Sequence, residues 1–164
     1  MNTGQMLLTI GAMILLSTLI LRVNNNFAGN TTTVYNSKFA ILASSVGASV
    51  IEEAMGKAFD ENTVNAPASS TTDLTMPNKL KAESGESYPN FDDFDDYNGY
   101  NKTDSTMPSA IFEVSCVVSY VNPTTPDINS SVRTWTKKIS VTVTSISMKD
   151  TVRLSSLFSY WVFN

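Results

Sequence analysis

The chain has 164 residues, no histidine, one cysteine (Cys116) and a formal net charge of −4, a length that accommodates one domain of ordinary size plus an anchor or tail. Without histidine or a second cysteine, the Ser-His-Asp and Cys-His catalytic arrangements, the common zinc sites and an internal disulfide are excluded. The 11 lysines and arginines are scattered rather than clustered, which excludes the basic footprint of a nucleic-acid binder.

Residues 5–21, QMLLTIGAMILLSTLIL, are uncharged and apolar apart from Gln5 and a few hydroxyls. As a helix rising about 1.5 Å per residue they reach about 25 Å, close to the roughly 30 Å of a hydrocarbon core. No basic residue precedes the run and no small-x-small site follows it, so it is expected to stay in the mature chain rather than leave as a signal peptide. A helix apolar all round needs cover that so small a domain does not supply, which leaves lipid or copies of itself. Leu7, Leu8, Ile10, Ile14, Leu15 and Leu19 are the expected assembly surface, and Gly4, Gly11, Ala12, Ser17 and Thr18 let helices approach closely. Residues 22–33, RVNNNFAGNTTT, are rich in Asn and Gly, and a break or melted stretch is expected there. Residues 1–33 are thus read as an assembly or membrane helix with its break.

From 34 to 59, Tyr35, Phe39, Leu42, Val46 and Val50 recur at helical spacing, with Ile51, Met55 and Phe59 on an adjacent stripe. This predicts an amphipathic helix with Ser37, Ser44, Ser45 and Ser49 facing away from a globular domain that fills residues 34–164. Residues 60–108, rich in Ser, Thr, Asn, Asp and Pro, read as long surface loops with room for one short strand or helical turn. Three strands follow over 109–163. Phe112, Val114, Cys116, Val118 and Tyr120 alternate in the first; Trp135, Ile139, Val141 and Val143 in the second; Val152, Leu154, Phe158, Tyr160 and Val162 in the third. The prediction is an α+β domain in which the amphipathic helix covers the apolar face of an antiparallel meander. Cys116 is expected to be a small buried hydrophobe. Phe158, Tyr160, Trp161 and Phe163 occupy both faces of the last strand, which a neighbouring subunit or core packing would cover.

The densest charge cluster is FDDFDDYNGY, residues 91–100. Asp92, Asp93, Asp95 and Asp96 are hard oxygen ligands of the kind calcium prefers, although an EF-hand register fails: with Gly99 sixth, Phe94 falls first and Ser105 twelfth. The alternative is a solvated acidic loop fastened by Phe91, Phe94, Tyr97 and Tyr100. No catalytic residue is expected, and calcium is the one candidate cofactor.

In layout, an apolar N-terminal helix, an amphipathic continuation, a variable loop and a C-terminal antiparallel sheet, the chain resembles the type IV pilins and pseudopilins. FDDFDDYNGY is similar to the acidic aromatic motif of some MSHA-type and other minor pilins. The resemblance implies a non-enzymatic, homopolymeric subunit of an extracellular, pilus-like filament with a role in cell adhesion. Its partners would be itself, the inner membrane before assembly, and a pilus or secretion machine. It equally accommodates a membrane-anchored minor pseudopilin. Where the family carries a glutamate at the fifth position this chain has Gln5, an amide that accepts hydrogen bonds but brings no negative charge to a neighbour's terminal amine.

Overall fold

The computed structural model describes residues 2–161. Its contacts divide into two compact units, one up to Lys38 and one from Phe39 onward. A single helix, α1, runs Thr3–Met55.

In the first unit the helix is long and apolar enough to cross a membrane, and none of its most apolar window is buried. Leu7, Leu8, Ile10, Ile14, Leu15 and Leu19 are between 45% and 75% exposed, which is nearly as much as a helix allows. The hydroxyls in this stretch are satisfied internally: Thr9 donates to the Met6 carbonyl, Ser17 to Met13 and Thr18 to Leu15, at 2.8–2.9 Å. The expected break at 22–33 is absent, since these residues are helical. Asn and Gly each cost a helix less than about 1 kcal/mol relative to better formers, whereas interrupting it would require a second nucleation. No proline occurs before Pro67 to force the interruption. Thr31 and Thr33 fold their hydroxyls back onto the Phe27 and Gly29 carbonyls.

The second unit is an α+β arrangement built on a five-stranded antiparallel sheet: β1 Asn101–Asp104, β2 Phe112–Asn122, β3 Thr125–Asn129, β4 Thr136–Thr144 and β5 Val152–Ser159. The order is β1-β2-β4-β5, with β3 paired to one end of β2. The three long strands follow the period-two reading. Phe112, Val114, Cys116, Val118 and Tyr120 of β2 and Ile139, Val141 and Val143 of β4 are all buried. All but Tyr120 pack against the face of α1 formed by Phe39, Ala43, Val46, Val50 and Ala54; Tyr120 joins a second cluster with Phe59, Leu74 and Leu80. Small residues let that face come close: a Cβ on Gly47 would lie 2.9 Å from Leu154 Cδ1 and 3.3 Å from Val143 Cγ2. Ser45 and Ser49 face solvent as expected, but Tyr35 is 56% exposed.

Other expectations need adjustment. The helix ends at Met55, so Phe59 enters the core from the connecting chain, edge-on to Phe158 at 5.5 Å. The short polar strand β3 lies in the stretch read as a connection between the first two long strands, and β1 is the one short strand that the 60–108 stretch left room for, accompanied there by three 3-10 turns rather than none. In the final strand Val152, Leu154 and Phe158 are half-buried, Leu157 and Trp161 are exposed, and Val162 and Phe163 lie outside the described residues.

Candidate functional site

The inner face of β4 carries a residue that the alternation places there but that hydrophobic reading passes over. Lys137 falls between Trp135 and Ile139 and is fully buried, paired across the sheet with Tyr120 on one side and Phe158 on the other. A buried ammonium needs acceptors for its three hydrogens, and three are present. Lys137 Nζ lies 2.7 Å from Asp60 Oδ2, 2.6 Å from Asp95 Oδ1 and 2.8 Å from the Phe59 carbonyl oxygen. The rings of Phe59 and Tyr120 stand 4.5 and 5.0 Å from it and present their faces to the cation.

The two carboxylates differ. Asp60 also accepts from the Thr75 amide and hydroxyl and from the Asn62 amide, and Tyr120 Oη lies 3.0 Å from it. Burial opposes its ionisation, but Lys137 and the Thr75 bonds outweigh that penalty and hold its pKa below the ordinary carboxylate value. Asp95 has fewer donors, and its Oδ2 is buried without a partner. Burial therefore prevails over Lys137 and pushes it up to about 7.

Asp95 belongs to the FDDFDDYNGY segment, and each residue of that segment has a physical task. Phe94 is fully buried against Phe158, and Phe91 and Tyr97 pack edge to face at 5.2 Å. Asp93 Oδ1 accepts from the backbone amides of Asp95 and Asp96, while Asp96 Oδ2 reaches back to those of Asp92 and Asp93 at 3.0 and 3.1 Å. These reciprocal side-chain-to-backbone bonds fix the chain around a single 3-10 turn over Asp95–Tyr97. The Tyr97 hydroxyl donates to Glu53 of the helix, and the Asn98 side chain bridges the Leu80 carbonyl and the Val118 amide. Backbone bonds between Ala58 and residues 92 and 94 tie the segment to the helix exit.

The four aspartates therefore neither converge on one ion nor form a solvated loop. Asp93, Asp95 and Asp96 are buried and only Asp92 is exposed. Burial and the charges of Asp95 and Asp96 push Asp93 up to about 8, and its Oδ2, like Asp96 Oδ1, lacks a partner. The structure instead distributes the segment between two carboxylate triads, Glu61–Asp92–Asp93 and Glu83–Glu86–Asp96, in each of which one oxygen per residue lies within 4.8 Å of the others. The glutamates were not singled out in the sequence, because their approach depends on a turn at 83–86 and on the fold. Partial burial, a hydrogen bond with Glu86 and the surrounding carboxylates hold Glu83 up to about 8. Burial pushes the Cys116 thiol up to about 12, as suits a core position.

A separate open groove of about 730 Å3 is lined by residues including Pro67, Pro123, Trp135 and Trp161, with no carboxylate, lysine or cysteine among the described residues of its walls. Trp135 stacks on Tyr160 at 5.4 Å beside it. Gln5 and the apolar assembly residues lie on the exposed N-terminal part of α1, in the other unit from the acidic segment.

The fold and site define a class no narrower than an α+β domain carrying an apolar N-terminal helix and a buried lysine–carboxylate clamp. Comparison with protein-family models, with curated proteins and with solved structures finds no match.

Two outcomes follow from the clamp. Asp60→Asn removes the carboxylate that is charged in the folded state and is expected to cost about 3–5 kcal/mol, the usual penalty for breaking a buried ion pair. Asp95→Asn, at a group that favours its neutral form, should cost less than half as much. Urea denaturation of both variants at neutral pH checks the order.

The same groups set a pH dependence. Asp93 and Asp95 have folded pKa values above the ordinary 3.8, so their favourable contribution is complete below that value and is lost as pH rises through about 7–8. Asp60, whose pKa is lowered, contributes above 3.8 and loses its contribution as pH falls through its folded value. The urea midpoint should therefore be highest in mildly acidic solution and fall between about pH 5 and pH 8; a midpoint that rises steadily over that interval would refute this assignment.

Proposed function

We propose that this chain is a structural subunit of an extracellular, pilus-like filament, polymerising through the N-terminal part of α1 after residence in a membrane. The observation that carries the reading is the uncovered apolar surface of that helix. Residues such as Leu7, Leu8, Leu15 and Leu19 are all more than half exposed. Burying one Leu or Ile side chain is worth roughly 1.5–3 kcal/mol. Eight of them (Leu7, Leu8, Ile10, Ile14, Leu15, Leu16, Leu19 and Ile20) left in water would forgo on the order of ten kcal/mol, comparable to the whole stability of a small domain. Lipid and sister helices both supply the missing cover, and the internally bonded hydroxyls of Thr9, Ser17 and Thr18 suit either environment.

The layout of helix and antiparallel sheet and the FDDFDDYNGY segment support a pilin-like reading over an anchored enzyme. In that reading the buried aspartates serve the architecture of the domain. A second reading is a membrane-anchored minor pseudopilin of a secretion or pilus machine, which the length and apolar character of α1, sufficient to cross a membrane, support as well. The two readings differ in stoichiometry rather than in fold.

Sedimentation of the full-length chain, of residues 32–164 and of full-length Ile14→Asp, all without detergent, tests the proposal. The full-length chain is expected to sediment as large polymers. The truncated chain should be a folded monomer, and Ile14→Asp should lose the polymers because it places a charge in the apolar seam. Three monodisperse monomers would remove both the filament and the anchor readings, and polymers of the truncated chain would move the assembly contacts into the β-domain.

A further inference from the structure

One of the two carboxylate triads is assembled by a turn. Glu83 and Glu86 stand at its first and fourth positions, closed by the Glu86 amide donating to the Glu83 carbonyl at 3.1 Å. Gly85 takes the third position at φ +96, a conformation that a side chain would strain. The sequence Glu-Ser-Gly-Glu thus acts as a pincer that brings two acids to one place.

Asp96 completes the triad from the neighbouring segment. It is 2% exposed, and its position is fixed because Oδ2 accepts the amides of Asp92 and Asp93. Its other oxygen, Oδ1, is buried and has no partner. Buried polar atoms are ordinarily bonded, so an unpartnered oxygen on a buried aspartate grouped with two glutamates marks a place for an electropositive group.

The donor set selects the group. One carboxylate oxygen from each of Glu83, Glu86 and Asp96 falls within 4.8 Å of the other two, close enough for one cation to share all three. Three protein carboxylates in one place suit calcium, which takes about six to eight oxygens in flexible geometry, better than magnesium, which keeps several waters and is held by one or two carboxylates. All three ligands are hard oxygens, and the chain has no histidine to offer a softer metal. Among the described side chains, Lys137 is committed to Asp60 and Asp95, and Lys57 donates to the Phe91 carbonyl. The Glu61–Asp92–Asp93 triad gathers further carboxylates, two of them from the same 91–100 segment.

We propose that Glu83, Glu86 and Asp96 form a binding site for a hard divalent cation of calcium size, which fastens the 83–86 turn to the FDDFDDYNGY segment. Asp96 is the preset ligand and the two glutamates close on the ion from the rim, with backbone oxygens or water completing the shell. The site is independent of the filament reading, because an anchored monomer would carry it equally well.

The test is thermal unfolding of the full-length chain in detergent after treatment with a chelator. It is run in millimolar calcium chloride, in magnesium chloride and in sodium chloride of matched ionic strength, beside the double variant Glu83→Gln/Glu86→Gln. The parent is expected to gain roughly 5 °C or more in calcium, as binding to the folded state alone requires, and distinctly less in magnesium or sodium. The double variant, relieved of like-charge repulsion, should be at least as stable as the parent without calcium, and should lose most of the calcium response. Equal shifts in calcium and sodium would reduce the effect to screening and overturn the site, as would an undiminished response in the variant. The comparison of salts on the parent alone decides the matter if the variant does not fold.

Discussion

The globular unit depends on one buried cation. Lys137 sits fully buried on the inner sheet face near the start of β4, where an unpaired ammonium would be prohibitive. Its three hydrogens are answered by acceptors from two otherwise irregular segments: Asp60 with the Phe59 carbonyl just past the helix, and Asp95 in the middle of the 91–100 run. Asp60 in turn gathers Thr75 and Tyr120. Between residues 60 and 100 regular structure amounts to three short 3-10 turns, so this network, rather than a ladder of strands, sets the path of the chain. An apolar residue in place of the whole ionic cluster could be as stable. What the lysine adds is a requirement that these particular segments arrive together.

The acidic segment reads differently once that requirement is seen. Asp95 serves the lysine, Asp93 and Asp96 serve backbone amides, and the aromatics between them serve the core. The geometry also leaves surplus: three carboxyl oxygens, Asp93 Oδ2, Asp95 Oδ2 and Asp96 Oδ1, are buried and unpartnered, and Asp93 and Asp96 each belong to a triad with more exposed acids. The N-terminal part of α1 presents the complementary imbalance, apolar surface without cover instead of charge without a counter-ion. In both places the isolated chain is incomplete in a way that a second species would repair, an ion in one and lipid or sister helices in the other.

Much of the fold was legible in the sequence because its elements carry strong periods. Phe112 to Tyr120 and Ile139 to Val143 alternate cleanly, and the face from Phe39 to Ala54 recurs at helical spacing, so the α+β layout and its inner surfaces could be drawn directly. The omissions share a cause. Lys137 lies in register with Ile139 and Val141, but a charge on an apolar face reads as an interruption until its carboxylates are located, and those are 42 and 77 residues away. The strands β1 and β3, NKTD and TPDIN, are short, polar and mostly exposed, so they lack the pattern that identifies a strand. The stretch 22–33 looked like a break because single-residue preferences were weighed without the cooperativity of the helix on either side. Of the site, the aspartates were visible, but their burial and their pairing with Glu61, Glu83 and Glu86 were not, because both arise from the fold.

The central claim, that copies of the chain cover one another's N-terminal helices, is tested most directly by cross-linking at a single thiol. Cys116 is buried, so full-length Ile14→Cys offers one reactive sulfur within the apolar stretch. Packed helices lie about 8–10 Å apart, within reach of a short bis-maleimide. Applied to the assembled, detergent-free material, the reagent is predicted to yield covalent dimers that persist in denaturant, while the parent chain yields none. Thiols that are modified yet leave only monomers would contradict helix-to-helix cover and leave lipid as the partner of this surface.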